Sequence, residues 1–470
     1  MHTIRNHRSP MHTIRNHRSW TPRPNAVHPY IRRRNGTEPV TYLHPLLEPA
    51  LERTLGVPLF QEQLMQIAID VAGFSPTEAD ALRQAMSAKR SGERMARLRD
   101  RLFAGMAARG VSDEAAAKVY DALAAFANFG FPESHSVAFA HLVYATAWCK
   151  LHYPAAFTAG LLNAQPMGFW SPQSLIADAK RHGVAVYRPH VDAGGADATL
   201  EWSDAVGTRT GRDDHRGDRR GDRRGDRVPA LRLGLSSVRG IGQAAAGRIA
   251  AGRPWAGMED LVRRAGLTRP QLEALAAAGA LAPAPDRGPP AGSRTAATRD
   301  RRTAIWGAGA AAQATSDRLP GIVTGAEAPD LPAPGPWEDV ADDLWALGAT
   351  PGVTAMHLAR PVLARRGVVP AAALHGAPAG SRVTVGGVVT HRQRPESARG
   401  AVFVNLEDET GMVNVVCSRG AWIRWRPVAR GASALLVRGR VERSEGSLSL
   451  VAERIDRLDL GPVPSSRDFR

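Results

Sequence analysis

The sequence predicts a multidomain chain, mostly α-helical to about residue 380 and closed by a small β-barrel. Three observations carry this. Between Leu55 and Asn163 apolar residues recur at the helical period, with capping and breaking residues between the repeats. Beyond residue 381 the apolar period changes from 3.6 to 2, the spacing of strands with one buried face. The 470 residues also leave room for two to four domains at roughly 100–200 residues each.

The chain opens on a direct repeat, MHTIRNHRS at Met1–Ser9 and again at Met11–Ser19. Nine polar residues are too few for a repeat fold, whose units run to about 20 residues or more, so residues 1–26 are expected to be a disordered basic tail. A basic run, Ile31-Arg-Arg-Arg34, precedes the first helices. Phe60, Leu64, Ile67 and Val71 form one apolar stripe, which Gly73 ends. Ser75, Pro76 and Glu78 read as N-cap, first helical residue and capping-box partner of the next helix, in which Leu82 and Met86 face inward. If that helix runs on, Arg83 and Arg90 share a face, with Lys89 beside them. This basic face is either solvated or shaped for an anion. The period continues through Met95–Met106 and Ala116–Phe126, breaks at a loop Asn128–Ser136 that contains His135, and resumes over Val137–Leu151.

From Ala164 to Trp202 the pattern loosens around a short strand at Val184–Tyr187. Residues 206–229 are dominated by a Gly-Asp-Arg-Arg repeat, which cannot bury a core and is expected to be a disordered insertion. Residues 230–283 form a second module. Arg239-Gly-Ile-Gly242 followed by a helix has the form of a helix-hairpin-helix, in which Gly240 and Gly242 let backbone N–H groups approach a DNA phosphate and Arg239 adds charge. Residues 284–380, rich in Ala, Gly and Pro, are expected to be a linker with helices. Over 381–460 the order strand-strand-strand-helix-strand-strand is that of the OB-fold, a Greek-key β-barrel that binds single strands. Phe403 is either core or a platform for a base, and Arg392, Arg394, Arg438 and Arg440 are candidates to follow a nucleic-acid backbone. Glu407-Asp408-Glu409 is expected to be a solvated turn, not a metal site, and residues 461–470 a tail.

A formal charge of +16 and a pI near 10.9 favour polyanionic partners, nucleic acid before a membrane surface. No run of about 18 apolar residues and no signal-peptide core occur, so the chain is expected in the cytoplasm with no membrane association. Two cysteines, Cys149 and Cys417, exclude a disulfide framework or a cysteine-based zinc site, and both read as packing thiols.

VHPYIRRRNGTEPVTYLHP, GVPLFQEQLMQIA, LRQAMSAKRSGERM, FANFGFPESHSVAFAHLVYATAWCKLHYPAAF and NLEDETGMVNVVC, in this order from Val27 to about Leu460, resemble the error-prone branch of the bacterial family C, polymerase III alpha-like DNA polymerases. The resemblance implies that residues 27–205 are a fingers-like helical domain. In that reading Arg83, Lys89 and Arg90 would neutralise the triphosphate of an incoming dNTP, and His135 matches the family's Ser-His element. Gln84 departs from the family, where a second arginine usually stands. The resemblance also implies that the palm, whose aspartates hold two Mg2+ ions, and a metallophosphoesterase-like domain lie upstream of the fingers. No Asp-x-Asp occurs up to the end of the fingers-like segment. The expectation is therefore the C-terminal part of a longer error-prone polymerase acting in DNA replication and damage-induced translesion synthesis. It would carry no catalytic residue and bind no metal of its own, and would be inactive alone. Implied partners are primer-template and single-stranded DNA, dNTP, and accessory mutagenesis proteins linking to the sliding clamp. Two other readings stand beside this one: a non-catalytic DNA-binding accessory protein using hairpin and barrel, and a tRNA-binding appendage of a synthetase, which no nucleotide-binding signature supports.

Overall fold

The computed structural model describes residues 24–86, 91–126, 131–204, 227–281, 294–315, 318–319, 325, 328–395, 398, 400–444, 447–464 and 466–469. The chain divides into two compact units, Met1–Ala147 and Trp148–Arg470.

In the first unit, helix α1 (Pro24–Arg34) and a one-turn α2 (Glu48–Leu51) precede α3 (Gln61–Ala72), α4 (Pro76–Met86), α5 (Ser91–Ala108), α6 (Asp113–Phe126) and the start of α7 (Glu133–His152). Leu64, Leu82, Leu102, Met106 and Leu123 form the centre of its core. The turn between α3 and α4 is built as the sequence specifies. Gly73 caps α3 at φ +66°, the Ser75 N–H donates to Glu78 at 2.8 Å, and the Glu78 N–H donates to the Ser75 hydroxyl at 3.2 Å. Helices α3 and α5 cross so closely that a Cβ on Gly105 would overlap the Ala72 carbonyl oxygen. The Glu133 N–H donates to Glu62 at 2.8 Å, and its carboxylate takes both Arg53 Nη groups at 2.9 and 3.0 Å, tying the start of α7 to the α2–α3 region. No residue of α7 is buried, and Val137, Phe139, Leu142, Val143 and Tyr144 are exposed on its part in this unit.

The second unit begins with α8 (Pro154–Asn163) and α9 (Pro172–Arg181), followed by strands β1 (Val186–Tyr187), β2 (Thr199–Asp204) and β3 (Arg227–Arg232). These strands make one sheet in the order β1-β3-β2, with β1 parallel and β2 antiparallel to β3. A 3-10 turn at Leu235–Ser237 leads to α10 (Gln243–Ala251), α11 (Met258–Ala265), α12 (Arg269–Ala277), α13 (Arg294–Ala311) and α14 (Pro336–Leu347). Ile176, Leu231, Leu235, Ile249, Leu261, Leu272 and Leu275 share one core with Ala308, Ala311, Ala346 and Leu347. The segment expected as a linker with helices thus supplies two of those helices to the core of the hairpin module. Their small alanine faces permit close helix packing, and the same alanines give the stretch its linker-like composition. Arg301 of α13, almost fully buried, reaches Asp339 at 3.3 Å and Asp343 at 2.5 Å on α14, and Arg188 adds a second guanidinium to Asp343, with Nη2 to Oδ2 at 2.8 Å. Burial pushes the carboxyls of Asp339 and Asp342 above the usual range.

Helix α15 (Ala355–Arg365) and a short β4 (Val368–Val369) enter the barrel: β5 (Arg382–Gln393), β6 (Val402–Glu407), β7 (Met412–Cys417), α16 (Arg419–Gly431), β8 (Ala434–Ser444) and β9 (Ser447–Arg457), with β10 (Arg467–Phe469) beside β5. The expected order is present, and pairing of β5 with β8 closes the barrel. Val385, Val404, Val415, Cys417, Val437 and Ile455 fill it, and burial pushes the Cys417 thiol up to about 11. Cys149 is only half-buried.

Candidate nucleic-acid interface

The hairpin offers backbone. Gly240 sits at φ +74°, a conformation that favours glycine, and its carbonyl accepts from Gln271 Nε2 at 3.0 Å. Gly242 is the N-cap of α10 and supplies no side-chain acceptor, so the first-turn N–H groups of that helix have no side-chain cap. A Cβ on Gly242 would meet nothing within 4 Å, which leaves open space in front of these donors. Arg239 is exposed beside them, its N–H donating to Ala346 O at 2.7 Å and its guanidinium lying 5.1 Å from the Trp345 ring centroid. The first helix of the motif is only the single 3-10 turn.

The barrel separates its candidates. Phe403 is half-buried on the outer face of β6, opposite the core side chains Val402 and Val404, and stands in register with Gln393 and Val416. Arg394 follows Gln393 and is exposed. Arg438 and Arg440 are exposed on β8, but they pair with Thr384 and Arg382, at the other end of β5 from Gln393. At about 3.3 Å per residue that is roughly 30 Å along the strand, so Phe403 and these two arginines do not form one short track. Arg440 also holds Glu442 at 2.7 Å.

Arg392, expected along a nucleic-acid backbone, is buried in this structure. It is in register with the core residue Val404, and its guanidinium is buried, donating to Ala429 O at 2.7 Å, to Ser466 Oγ at 2.6 Å and to Ala432 O. The bulge in β5 between Val389 and His391 resets the alternation that sequence alone would extend to this position. Next to Phe403, part of the outer face is covered by the chain itself: His391 meets the Phe169 carbonyl, and Trp170 stands edge-on to the His391 ring at 5.5 Å.

In the first unit, Arg83 pairs with Asp80 at 2.8 Å one turn away on α4, and Gln84 donates to the same carboxylate at 2.8 Å. Those hydrogen bonds, Gln84 first and then Arg83, hold the Asp80 carboxyl below its usual range. Lys89 and Arg90 lie outside the described residues. His135 is in the first turn of α7 rather than in a loop. It is exposed, with its ring 4.9 Å from Phe131 and 4.4 Å from Phe139.

The acidic triple is a correction. Glu407 and Asp408 are buried, not solvated. Glu407 takes Arg181 at 3.0 Å and the Ser174 hydroxyl at 2.8 Å from α9, while Arg360 of α15 holds Asp408 at 2.8 Å and also Glu409. Burial raises the Glu407 carboxyl above its ordinary value. These carboxylates fasten the barrel to α9 and α15, and nothing in a solvated-turn composition announces two arginines arriving from 48 and 226 residues away. In both acidic clusters, Glu407–Glu409 and Asp339–Asp343, oxygens that would bind an ion are occupied by guanidinium groups, so neither suits a hard dication that demands near-octahedral oxygen ligation. Among the described residues no group of three or more His, Cys, Asp or Glu is placed to hold a metal ion. Among them too, no helix is long and apolar enough to cross a membrane.

Fold and site together define a helical unit followed by two nucleic-acid-binding modules. Three family models match this layout: "Bacterial DNA polymerase III alpha subunit finger domain" over residues 20–110, "Helix-hairpin-helix motif" over 183–287 and "OB-fold nucleic acid binding domain" over 383–458. The chain is 54% identical over 450 residues to an error-prone DNA polymerase of Nocardia farcinica, covering 95% of this chain and 37% of the relative. It is 50% identical over 450 residues to that of Mycobacterium tuberculosis, covering 95% and 38%. The Cutibacterium acnes relative is 47% identical over 470 residues, covering 95% and 40%. The chain belongs to the error-prone DNA polymerase family and spans about two fifths of the length of the curated relatives it matches. A solved asparaginyl-tRNA synthetase from Pyrococcus horikoshii covers 17% of this chain and 20% of its own at 20% identity, with a TM-score of 0.15, too slight a likeness to bear on the fold.

Proposed function

We propose that this chain is the fingers and DNA-binding portion of an error-prone DNA-directed DNA polymerase, serving DNA replication and damage-induced translesion synthesis in the cytoplasm. The observation that carries the DNA-binding part is the open backbone of the hairpin: Gly242 with empty space before it, uncapped donors behind it and Arg239 beside it. Binding of this kind addresses phosphates and reads no base sequence. The barrel would take the single strand on Phe403 and Arg394, with Arg438 and Arg440 as a separate cationic patch. In the fingers, Arg83, Lys89, Arg90 and His135 would receive the triphosphate of a dNTP.

Bond formation would rest on the rest of the polymerase, whose palm carboxylates would hold Mg2+, and this chain alone would be inactive. Helix α7 supports that reading. Within the first unit Val137, Phe139, Leu142, Val143 and Tyr144 are exposed around this helix, apolar surface of the kind that marks a protein interface, and the natural occupant is the part of the polymerase absent from this chain. Accessory mutagenesis proteins, and through them the sliding clamp, would join the complete enzyme. A purely DNA-binding accessory protein would use the same hairpin and barrel, but it gives α7 no partner.

The test of the hairpin is Gly242→Val, which adds a side chain where the protein has room and the phosphate does not. Gly240 is unsuitable, since its φ of +74° would strain any replacement. Duplex affinity, falling linearly in log-log form with salt for the wild type, should drop about tenfold in the variant, or about 1.4 kcal/mol, with an unchanged circular dichroism spectrum. A folded variant that binds duplex as the wild type does would remove the hairpin from the account.

A further inference from the structure

Helix α14 lies outside the span matched by the hairpin family, yet it is built onto the hairpin. The Arg239 N–H donates to Ala346 O at 2.7 Å, and Ala346 and Leu347 enter the same core as Leu235, Ile241 and Ile249. Between the buried residues Asp343 and Ala346 on that helix stands Trp345, with 47% of its surface exposed and its ring against the Arg239 guanidinium. A tryptophan placed for packing would be turned inward like its neighbours. This one is held at the rim of the phosphate-facing hairpin by a backbone hydrogen bond that fixes the helix in register.

We propose that Trp345 completes the hairpin as a nucleic-acid contact residue, stacking on an unpaired base while the adjacent Arg239 and the Gly240–Gly242 backbone hold the phosphates, so that the preferred target is a junction of duplex and single strand. The chemistry selects this partner. An indole gains stacking energy only from a base whose π-face is uncovered, which a continuous duplex does not offer and a junction does. The guanidinium can keep the cation–π contact and still has donors to spare for a phosphate, because a guanidinium carries five N–H groups. The strongly basic chain supplies the long-range attraction for any nucleic acid, so the ring is needed for discrimination rather than for capture.

The proposal rests on the hairpin reading above, and the experiment separates the two. Full-length wild type, Trp345→Leu and Trp345→Phe are titrated at fixed salt against a primed junction with a 5′ single-stranded extension and against relaxed covalently closed circular duplex, which has no ends. Leucine keeps apolar bulk without an aromatic face, and phenylalanine keeps a face. The junction affinity should fall about tenfold in Trp345→Leu and stay within about threefold in Trp345→Phe, with duplex affinity unchanged in both. Equal losses on both DNAs would mean that the ring merely holds Arg239 and would overturn the proposal, as would undiminished junction binding by Trp345→Leu. If Gly242→Val binds duplex normally while Trp345→Leu still loses the junction, the hairpin reading fails and the stacking residue survives.

Discussion

Helix α7 leaves Phe139, Leu142 and Tyr144 in the open, whereas α14 buries the carboxylate of Asp343 at 2% exposure between two arginines. Both arrangements go against the usual partition of apolar and charged groups, and they do so for opposite reasons. The carboxylate is buried because its partners, Arg301 and Arg188, are inside the same chain and satisfy it. The aromatic and aliphatic side chains of α7 are exposed because among the described residues nothing covers them. The contrast separates charge satisfied inside one module from apolar surface left open.

The largest effect expected from this contrast is at Asp343. Asp343→Ala leaves Arg301, almost fully buried, without its closest carboxylate, and removing one member of a buried pair costs about 3–5 kcal/mol. Urea unfolding of the full chain should show the midpoint of the second unit shifted down accordingly. A loss under about 1 kcal/mol would mean that water or Asp339 satisfies Arg301 instead. On α7 the expectation is reversed. Phe139→Ser with Leu142→Ser should leave the chain's own stability within about 0.5 kcal/mol, yet abolish co-purification with the remaining portion of the Nocardia farcinica relative. Marked destabilisation would show that the helix is packed within the chain after all.

The parts legible in sequence are those governed by neighbours along the chain. The Ser75–Glu78 capping box, the αL Gly73, the Gly240-Ile-Gly242 turn and the strand order of the barrel all rest on interactions that local spacing encodes. What escaped is what depends on distant partners. Glu407 and Asp408 look like an acidic turn until Arg181 and Arg360 arrive from other helices. Arg392 looks like an outward strand arginine until a bulge turns it toward α16. The Ala-rich stretch around α13 looks like a linker because alanine is uninformative about which face is buried, and the role of Trp345 depends on a contact with Arg239 across 106 residues, 345 minus 239.

The central claim, that this chain supplies fingers and DNA grip to a polymerase whose chemistry resides elsewhere, is tested most directly by primer extension. With Mg2+ and all four nucleotides, the purified 470-residue chain should extend a primed template no more than a buffer control. Addition of the uncovered portion of the Nocardia farcinica relative should restore synthesis. Extension by the isolated chain, abolished by a substitution within it, would contradict the account.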